Sequence, residues 1–370
     1  MHCSIEPLEA VFVQEEGVGC SREGHELKMD FVFLVYVSRS GSTFLARNLA
    51  EISPDLVVLP EIDLLNLLAA WGEDHVRNLN GRGLFRLMTL DERLMDIGLS
   101  YDDLRALAFR CAGKGIRQLM EDLVNEYATR VQGKEPKIAL IKRGPLIWHY
   151  ETLRHVFPEA VYLHIFRDPR GVVNSIIHTH RAYAPGEKMG RGDVYFAARQ
   201  WVKFMERINA LKHPRRAPIL EIRYEDLCVS LSGTVKAILQ HIGAAGTNGP
   251  GNGREYVFNV PARETRIHKL IQGTPAAGRI DAWKKELSGY QGAVIELIAR
   301  QRMAEKDYRP HFLTGVDRAK LPVYFVLARI AHVHYTILFY SRRLIEYLFR
   351  PSRLGMRLRL ALRSLLTLHG

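Results

Sequence analysis

The sequence predicts an α/β fold: a three-layer core with a mostly parallel sheet flanked by helices, and a helical C-terminal tail. Three observations predict it. Phe31–Val37 is a run of β-branched, aromatic and aliphatic residues that passes through a short polar loop into apolar residues at helical spacing. The same strand–loop–helix order returns at Ala160–Phe166. Further short apolar runs, Leu56–Pro60, Ile138–Ile141 and Ile219–Ile222, alternate with helical patterns. Strands joined through helices pair in parallel and place those helices on both faces of the sheet.

The elements follow in chain order. Residues 1–29 read as a short strand or loose arm. Glu6, Glu9, Glu15 and Glu16 interrupt any apolar run there, which argues against a signal peptide. The core begins at Phe31. Its first strand ends in Ser38-Arg39-Ser40-Gly41-Ser42-Thr43, and Phe44–Ile52 then has helical periodicity. A loop entering a helix offers open backbone N–H groups and the positive end of the dipole, which favour an anion. Ser42 and Thr43 add hydroxyl donors, and Arg39 adds a fork suited to phosphate or sulfate. The nucleotide P-loop pattern G-x-x-x-x-G-K-[ST] does not fit, because no lysine precedes Ser42 or Thr43.

Leu56–Pro60 reads as a second buried strand, with Glu61 at its C-terminal end, 22 residues after Arg39. Ligand sites of open α/β sheets lie at such ends. A carboxylate near a hydrophobic edge is expected to have a raised pKa and to serve as a general base. The plainer role for Glu61 is to cap the helix that follows. Residues 62–131 read as mainly helical, broken at Gly81, Gly83 and Gly98. Ile138–Ile141 is a strand ending in Lys142, which either serves an anion or is solvated. Ala160–Phe166 leads into Arg167-Asp168-Pro169-Arg170, with Pro169 suited to a first helical turn. Ser175 lies eight residues after Arg167, about two turns into the helix, so its hydroxyl can reach back to an anion held by Arg167. The alternative is that Arg167 simply pairs with Asp168. Gly243–Gly253 reads as an exposed connector, and residues 289–312 as the final core helix.

Composition sets outer bounds. The 370 residues, 47% hydrophobic and 25% charged, are those of a globular protein of one large or two average domains. The four cysteines, Cys3, Cys20, Cys111 and Cys228, lie far apart, so a zinc site or disulfide framework is not expected and a reducing, cytoplasmic setting is. The net charge is +12, and residues 316–370 carry ten Lys/Arg against Asp317 and Glu346. No nucleic-acid reading motif accompanies this charge, so no nucleic-acid partner is expected. Leu321–Tyr340 is apolar but contains Arg329, His332 and His334, which a clean spanning helix tolerates poorly. From Arg342 onward Arg alternates with Leu, Ile and Phe. The tail therefore reads either as an amphipathic helix on an anionic membrane surface or as a helix packed on the core or on another subunit. The expected division is an arm at 1–29, a catalytic domain at 30–315 and a basic tail at 316–370.

Taken together, these motifs resemble the sulfotransferases that use 3′-phosphoadenosine 5′-phosphosulfate (PAPS). The segment Arg39-Ser40-Gly41-Ser42-Thr43 is similar to their 5′-phosphosulfate loop. Arg167, Asp168-Pro169-Arg170 and Ser175 are similar to their 3′-phosphate motif. Arg223-Tyr224-Glu225-Asp226-Leu227 looks like the segment whose Tyr lies near the adenine, and Gly278–Trp283 loosely resembles the late segment that closes over the 3′-phosphate. The resemblance covers about residues 30–312. It implies a P-loop-like sulfotransferase fold with PAPS as co-substrate and no metal. Arg39, Ser40, Gly41, Ser42, Thr43, Arg167, Ser175, Tyr224 and Arg279 would hold the donor. Glu61 would be the base, with Lys142 and Arg39 at the leaving phosphate; a related branch uses a histidine, for which His149 is the nearest candidate. The resemblance implies a hydroxyl acceptor, a carbohydrate or glycolipid first, with peptide tyrosine and small alcohol left open. The rival readings are a nucleotide-dependent phosphotransferase and a catalytically silent, membrane-associated scaffold of the same fold.

Overall fold

Asp30–Tyr36 (β1) lies at the centre of a five-stranded sheet because it is apolar on both faces. Phe31, Phe33 and Val35 point into one buried cluster, and Val32, Leu34 and Tyr36 into another. The other strands of this sheet are β2 (Leu56–Leu59), β3 (Ile138–Lys142), β4 (Val161–Phe166) and β7 (Ile219–Arg223), and a two-stranded hairpin, β5 (His180–Arg181) and β6 (Ala184–Lys188), stands apart. The sheet order is β2-β3-β1-β4-β7, and every pairing in it is parallel. This computed structural model describes residues 29–133, 135–181, 184–212, 218–246, 277–315 and 318–349. Nearly all of the N-terminal arm, most of the Gly243–Gly253 loop and the end of the tail lie outside the described residues.

The helices follow in chain order: α1 (Ser42–Ile52), α2 (Leu64–Trp71), α3 (Glu73–Arg77), α4 (Gly81–Met88), α5 (Tyr101–Arg110), α6 (Ile116–Tyr127) and α7 (Tyr150–Val156). Then come α8 (Pro169–Ile177), α9 (Val194–Leu211), α10 (Tyr224–Val229), α11 (Leu231–His241), α12 (Trp283–Glu286), α13 (Gly289–Ala304) and α14 (Leu321–Phe349). Leu45, Ala46 and Leu49 of α1 and Val235, Ile238 and Leu239 of α11 cover one face of the sheet. Helices α2, α6, α7, α8 and α9 fill the other, larger side, giving three layers.

Two boundaries differ from the sequence reading. Gly81 and Gly83 do not break the helical region but lie inside α4, whose start is capped by Asn80 accepting from the Gly83 N–H. A Cβ at Gly81 would sit 2.7 Å from the Phe109 ring, so glycine there lets α4 lie close on α5. Helix α13 ends at Ala304 rather than near residue 312. Asp307 turns left-handed (φ 60°), and the Tyr308 N–H donates back to the Met303 carbonyl at 2.9 Å, which closes the helix.

Candidate active site

The crossovers place the site. From β1 the chain passes through α1, on one face, to β2. From β4 it passes through α8, on the opposite face, toward β7. The loops leaving the adjacent strands β1 and β4 therefore diverge and open a crevice at their C-terminal ends, where open α/β sheets bind ligands. Arg39 lies in the first loop and Arg167 in the second.

The first loop is strained and open. Arg39 is left-handed (φ 75°), and so is Gly41 (φ 93°), which precedes α1 without any side-chain cap. A Cβ on Gly41 would lie within 2.6 Å of two Tyr224 ring carbons, so the ring rests directly on the loop. Ser40 is buried with its Oγ unpartnered. The Arg39 Nε donates to Ser175 Oγ at 3.0 Å, joining the two loops. Arg167 lies 4.5 Å above the Tyr224 ring and donates to the Arg39 carbonyl (3.4 Å) and the Arg279 carbonyl (2.8 Å), while its buried Nε has no partner. Asp168 is not its counterion: that carboxylate caps α8 and pairs with Arg170. Among the described residues no carboxylate forms an ion pair with Arg39 or Arg167, whereas Arg279 pairs with Glu286 at 3.0 Å. Burial and then Arg167 hold Arg39 below the usual arginine range, with Arg279 adding to them and Glu61 opposing. Guanidinium groups crowded in this way, beside an orphaned hydroxyl and an uncapped helix start, form a receptor for anionic groups.

The second half of the site surrounds Glu61 at the end of β2. Lys142, only 3% exposed at the end of β3, donates to Thr43 Oγ1 at 2.9 Å and lies 3.5 Å from Glu61 Oε2. Arg143 Nη1 reaches Glu61 Oε1 at 2.8 Å, and its Nη2 reaches Asp63 Oδ1 at 2.5 Å. Arg93 contacts the same Glu61 carboxylate at 3.0 Å and the Glu61 carbonyl at 3.2 Å. Burial pushes the Glu61 carboxyl up, but Lys142, Arg143 and Arg93 together hold it well below the usual carboxylate range. The expected rise in its pKa is thus reversed, because the strand ends deliver three cations to it. Tyr36 is buried beside it, and burial, then the Glu61 charge, push its phenol well above its ordinary range.

The model of the sulfotransferase family matches residues 31–247, more than half of the chain, including both anion loops, Glu61 and Lys142. The chain belongs to the sulfotransferase family. Omega-hydroxy-beta-dihydromenaquinone-9 sulfotransferase Stf3 of Mycobacterium bovis, and the same enzyme of Mycobacterium tuberculosis, are each 28% identical over 126 residues. That stretch covers 32% of this chain and 31% of each relative, so the chain spans under a third of the length of the curated relatives it matches. The fold is similar to that of the sulfotransferase domain of a Synechococcus olefin synthase, with TM-score 0.52 and 20% identity over 79% of this chain and 99% of that one.

In this member of the family, Arg39, Ser40, Gly41, Arg167, Ser175, Tyr224 and Arg279 gather at the mouth of the β1/β4 crevice. Ser42 and Thr43 open α1, and the Thr43 hydroxyl links the loop to Lys142 and thence to Glu61. Ser175 bonds Arg39 rather than Arg167, so the eight-residue spacing serves a bridge between loops. Lys142 is not a solvated strand end. His149 forms no hydrogen bond with Glu61 or Lys142 among the described residues, and burial, with Arg207 adding to it, lowers its pKa. Sequence reasoning missed Arg93, Arg143 and Tyr36. Arg143 stands beside Lys142 in the sequence and was within reach of that reading. Arg93 lies in the helical segment 62–131 with no local signal. Among the described residues no group of three His, Cys, Asp or Glu side chains is placed to hold a metal ion.

Proposed function

We propose that this sulfotransferase takes a sulfuryl group from PAPS and delivers it to a hydroxyl on a lipid-linked acceptor, a glycolipid or a hydroxylated quinone of the kind named for the mycobacterial relatives. The observation that carries the donor half is the Arg39–Ser175 bridge flanked by Arg167 and Arg279, with no carboxylate among the described residues paired to Arg39 or Arg167. The donor has a phosphosulfate at one end and a 3′-phosphate at the other. The open start of α1, Ser40–Thr43 and Arg39 suit the first; Arg167, Ser175 and Arg279 suit the second. The Tyr224 face, lying between Gly41 and Arg167, offers a flat apolar surface beside both.

The chemistry follows from the Glu61 side. The acceptor oxygen attacks sulfur, the bond from sulfur to the 5′-phosphate oxygen breaks, and the electron pair stays on the nucleotide. The acceptor proton passes to the Glu61 carboxylate. A carboxylate held this acidic is ionised and ready, but takes the proton only once the forming S–O bond has made the hydroxyl acidic. Lys142, between Thr43 and Glu61, is placed to meet the charge that grows on the leaving phosphate, with Arg39 on the loop side. Arg93 and Arg143 are positioning residues that hold Glu61 by its oxygens.

A thermal-shift titration with 3′-phosphoadenosine 5′-phosphate against ATP tests the donor reading. The bisphosphate is expected to raise the melting temperature at concentrations where ATP does not. Equal shifts would favour a phosphotransferase, and no shift with either would favour a silent scaffold. A labelled-donor screen over glycolipids, hydroxylated quinones, free glycans and peptides tests the acceptor; transfer confined to the last two overturns the lipid-linked assignment.

A further inference from the structure

Helix α14 is fastened to the protein by polar and aromatic contacts along one side, while a run of its aliphatic residues, with His334, Tyr335 and Tyr340, is exposed. On the inward side, His332 Nδ1 meets Asp193 Oδ2 at 2.6 Å, and Arg191 donates to Thr336 Oγ1 at 2.8 Å. The Arg329 guanidinium lies over Tyr195, Tyr324 packs edge-on against Tyr290, and Ala328 is buried. These contacts fasten α14 along α9 and α13. The outward arc carries Val323, Val326, Leu327, Ile330, Val333 and Ile337, each at least half exposed. A contiguous aliphatic face of this size does not stay in water without a purpose. The sequence after Ser341 then adds Arg342, Arg343, Arg350, Arg353, Arg357, Arg359 and Arg363 against one acid, Glu346.

We propose that the outward face of α14 is a docking surface for an anionic lipid bilayer, on which the helix lies flat. The aliphatic arc would enter the acyl boundary while the basic segment after it meets anionic headgroups. The stretch Leu321–Ser341 is long and apolar enough to cross a membrane, but the inward contacts argue against crossing. A spanning helix would carry Asp193, Arg191 and the adjoining surfaces of α9 and α13 into hydrocarbon. Of the three residues that argued against a spanning helix in the sequence, His332 and Arg329 contact Asp193 and Tyr195 of the protein, whereas His334 is exposed. Helix α9 packs against both α14 and α8, and α8 carries Ser175, so docking would hold the crevice one helix layer from the lipid. The inference stands apart from the donor reading, because vesicle binding needs no turnover.

The test is co-sedimentation of the full chain with vesicles of phosphatidylcholine alone or mixed with phosphatidylglycerol, at low and high salt. Binding should be about tenfold stronger to the anionic vesicles, and that preference should shrink at high salt. Combining Ile330→Ser, Val333→Ser and Ile337→Ser should lower binding about tenfold without lowering the melting temperature, since all three side chains face solvent. Val326→Ser with Leu327→Ser, one turn earlier, should act in the same direction. The proposal is overturned if the parent stays in the supernatant with both vesicles, or if the serine variants bind like the parent. It also fails if light scattering shows a parental dimer that the serine variants break, which would make the face a contact between copies. Retention in membranes after alkaline carbonate extraction would mean a crossing helix and would equally refute a flat one.

Discussion

With Glu61 as the proposed base, this carboxylate sets the pH behaviour of the reaction. Because Lys142, Arg143 and Arg93 outweigh its burial, it is ionised throughout the neutral and mildly acidic range. The acidic limb of a single-turnover pH profile should therefore lie below the ordinary carboxylate range of about 4. A limb near neutrality would move the base elsewhere, His149 being the next to test. Glu61→Gln keeps the shape but cannot take the proton. Turnover should fall roughly 10²–10⁴-fold, with affinity for 3′-phosphoadenosine 5′-phosphate nearly unchanged. On the donor side, Arg167→Ala and Ser175→Ala should each weaken that affinity by about 1–3 kcal/mol. Calorimetric titration of both variants checks this, and parental affinity in both would remove the 3′-phosphate assignment.

Among the elements, the start of α2 and the seating of α8 rest on buried charge. Asp91 accepts from the backbone N–H groups of Asp63, Leu64 and Arg93, so it caps α2 and also fixes the turn that aims Arg93 at Glu61. Burial and the nearby Asp63 push Asp91 up to about 6. Its folded pKa thus exceeds the unfolded value of about 3.9, and the folded state binds more protons in between. Its contribution to stability is present at low pH and is lost as pH rises from about 4 through about 6. Asp91→Asn should flatten the stability curve in that window, as denaturant unfolding at several pH values would show. Arg170, in the Asp-Pro-Arg motif, is engaged within the fold: it pairs with Asp168 and Glu296, donates to the Arg309 carbonyl and lies 3.9 Å from the Trp283 ring. Arg170→Ala leaves buried carboxylates uncompensated and should destabilise the fold by about 3–5 kcal/mol in denaturant unfolding.

At the scale of the molecule, ligand binding and the tail act on stability separately. A donor product present at a hundred times its Kd should add about 2.7 kcal/mol, since the unfolded chain has no site for it. Removing residues 316–370 tests whether residues 30–315 suffice for donor binding. Affinity for the bisphosphate should stay within about twofold, because among the described residues α14 packs mainly on α13 and α9 rather than on the strands whose loops form the crevice. The melting temperature should nevertheless fall, because Tyr195, Phe196 and Tyr290 lose the helix that covers them. Unchanged melting would mean that α14 contributes nothing to the core it lies on.

The strand–loop–helix units at Phe31–Ile52 and Ala160–Ile177 are legible in the sequence because their signals are local. A strand apolar on both faces, a glycine turn and a helix start depend on a few consecutive residues, and so the parallel sheet, its helical layers and the two anion loops could be read from them. The order β2-β3-β1-β4-β7 could not, since each pairing joins segments far apart in the chain. The charge state of Glu61 could not be read either, and the sequence reading took its direction wrongly. Lys142 is 81 residues from Glu61 and Arg93 is 32, and neither separation says that three cations converge on one carboxylate. The two faces of α14 were ambiguous for the same reason: helical spacing shows which residues share a side, but only packing on α9 and α13 shows which side is turned inward. Hydrophobic period and turn chemistry are properties of neighbouring residues, whereas the electrostatic field at a site is a sum over everything the fold brings near it.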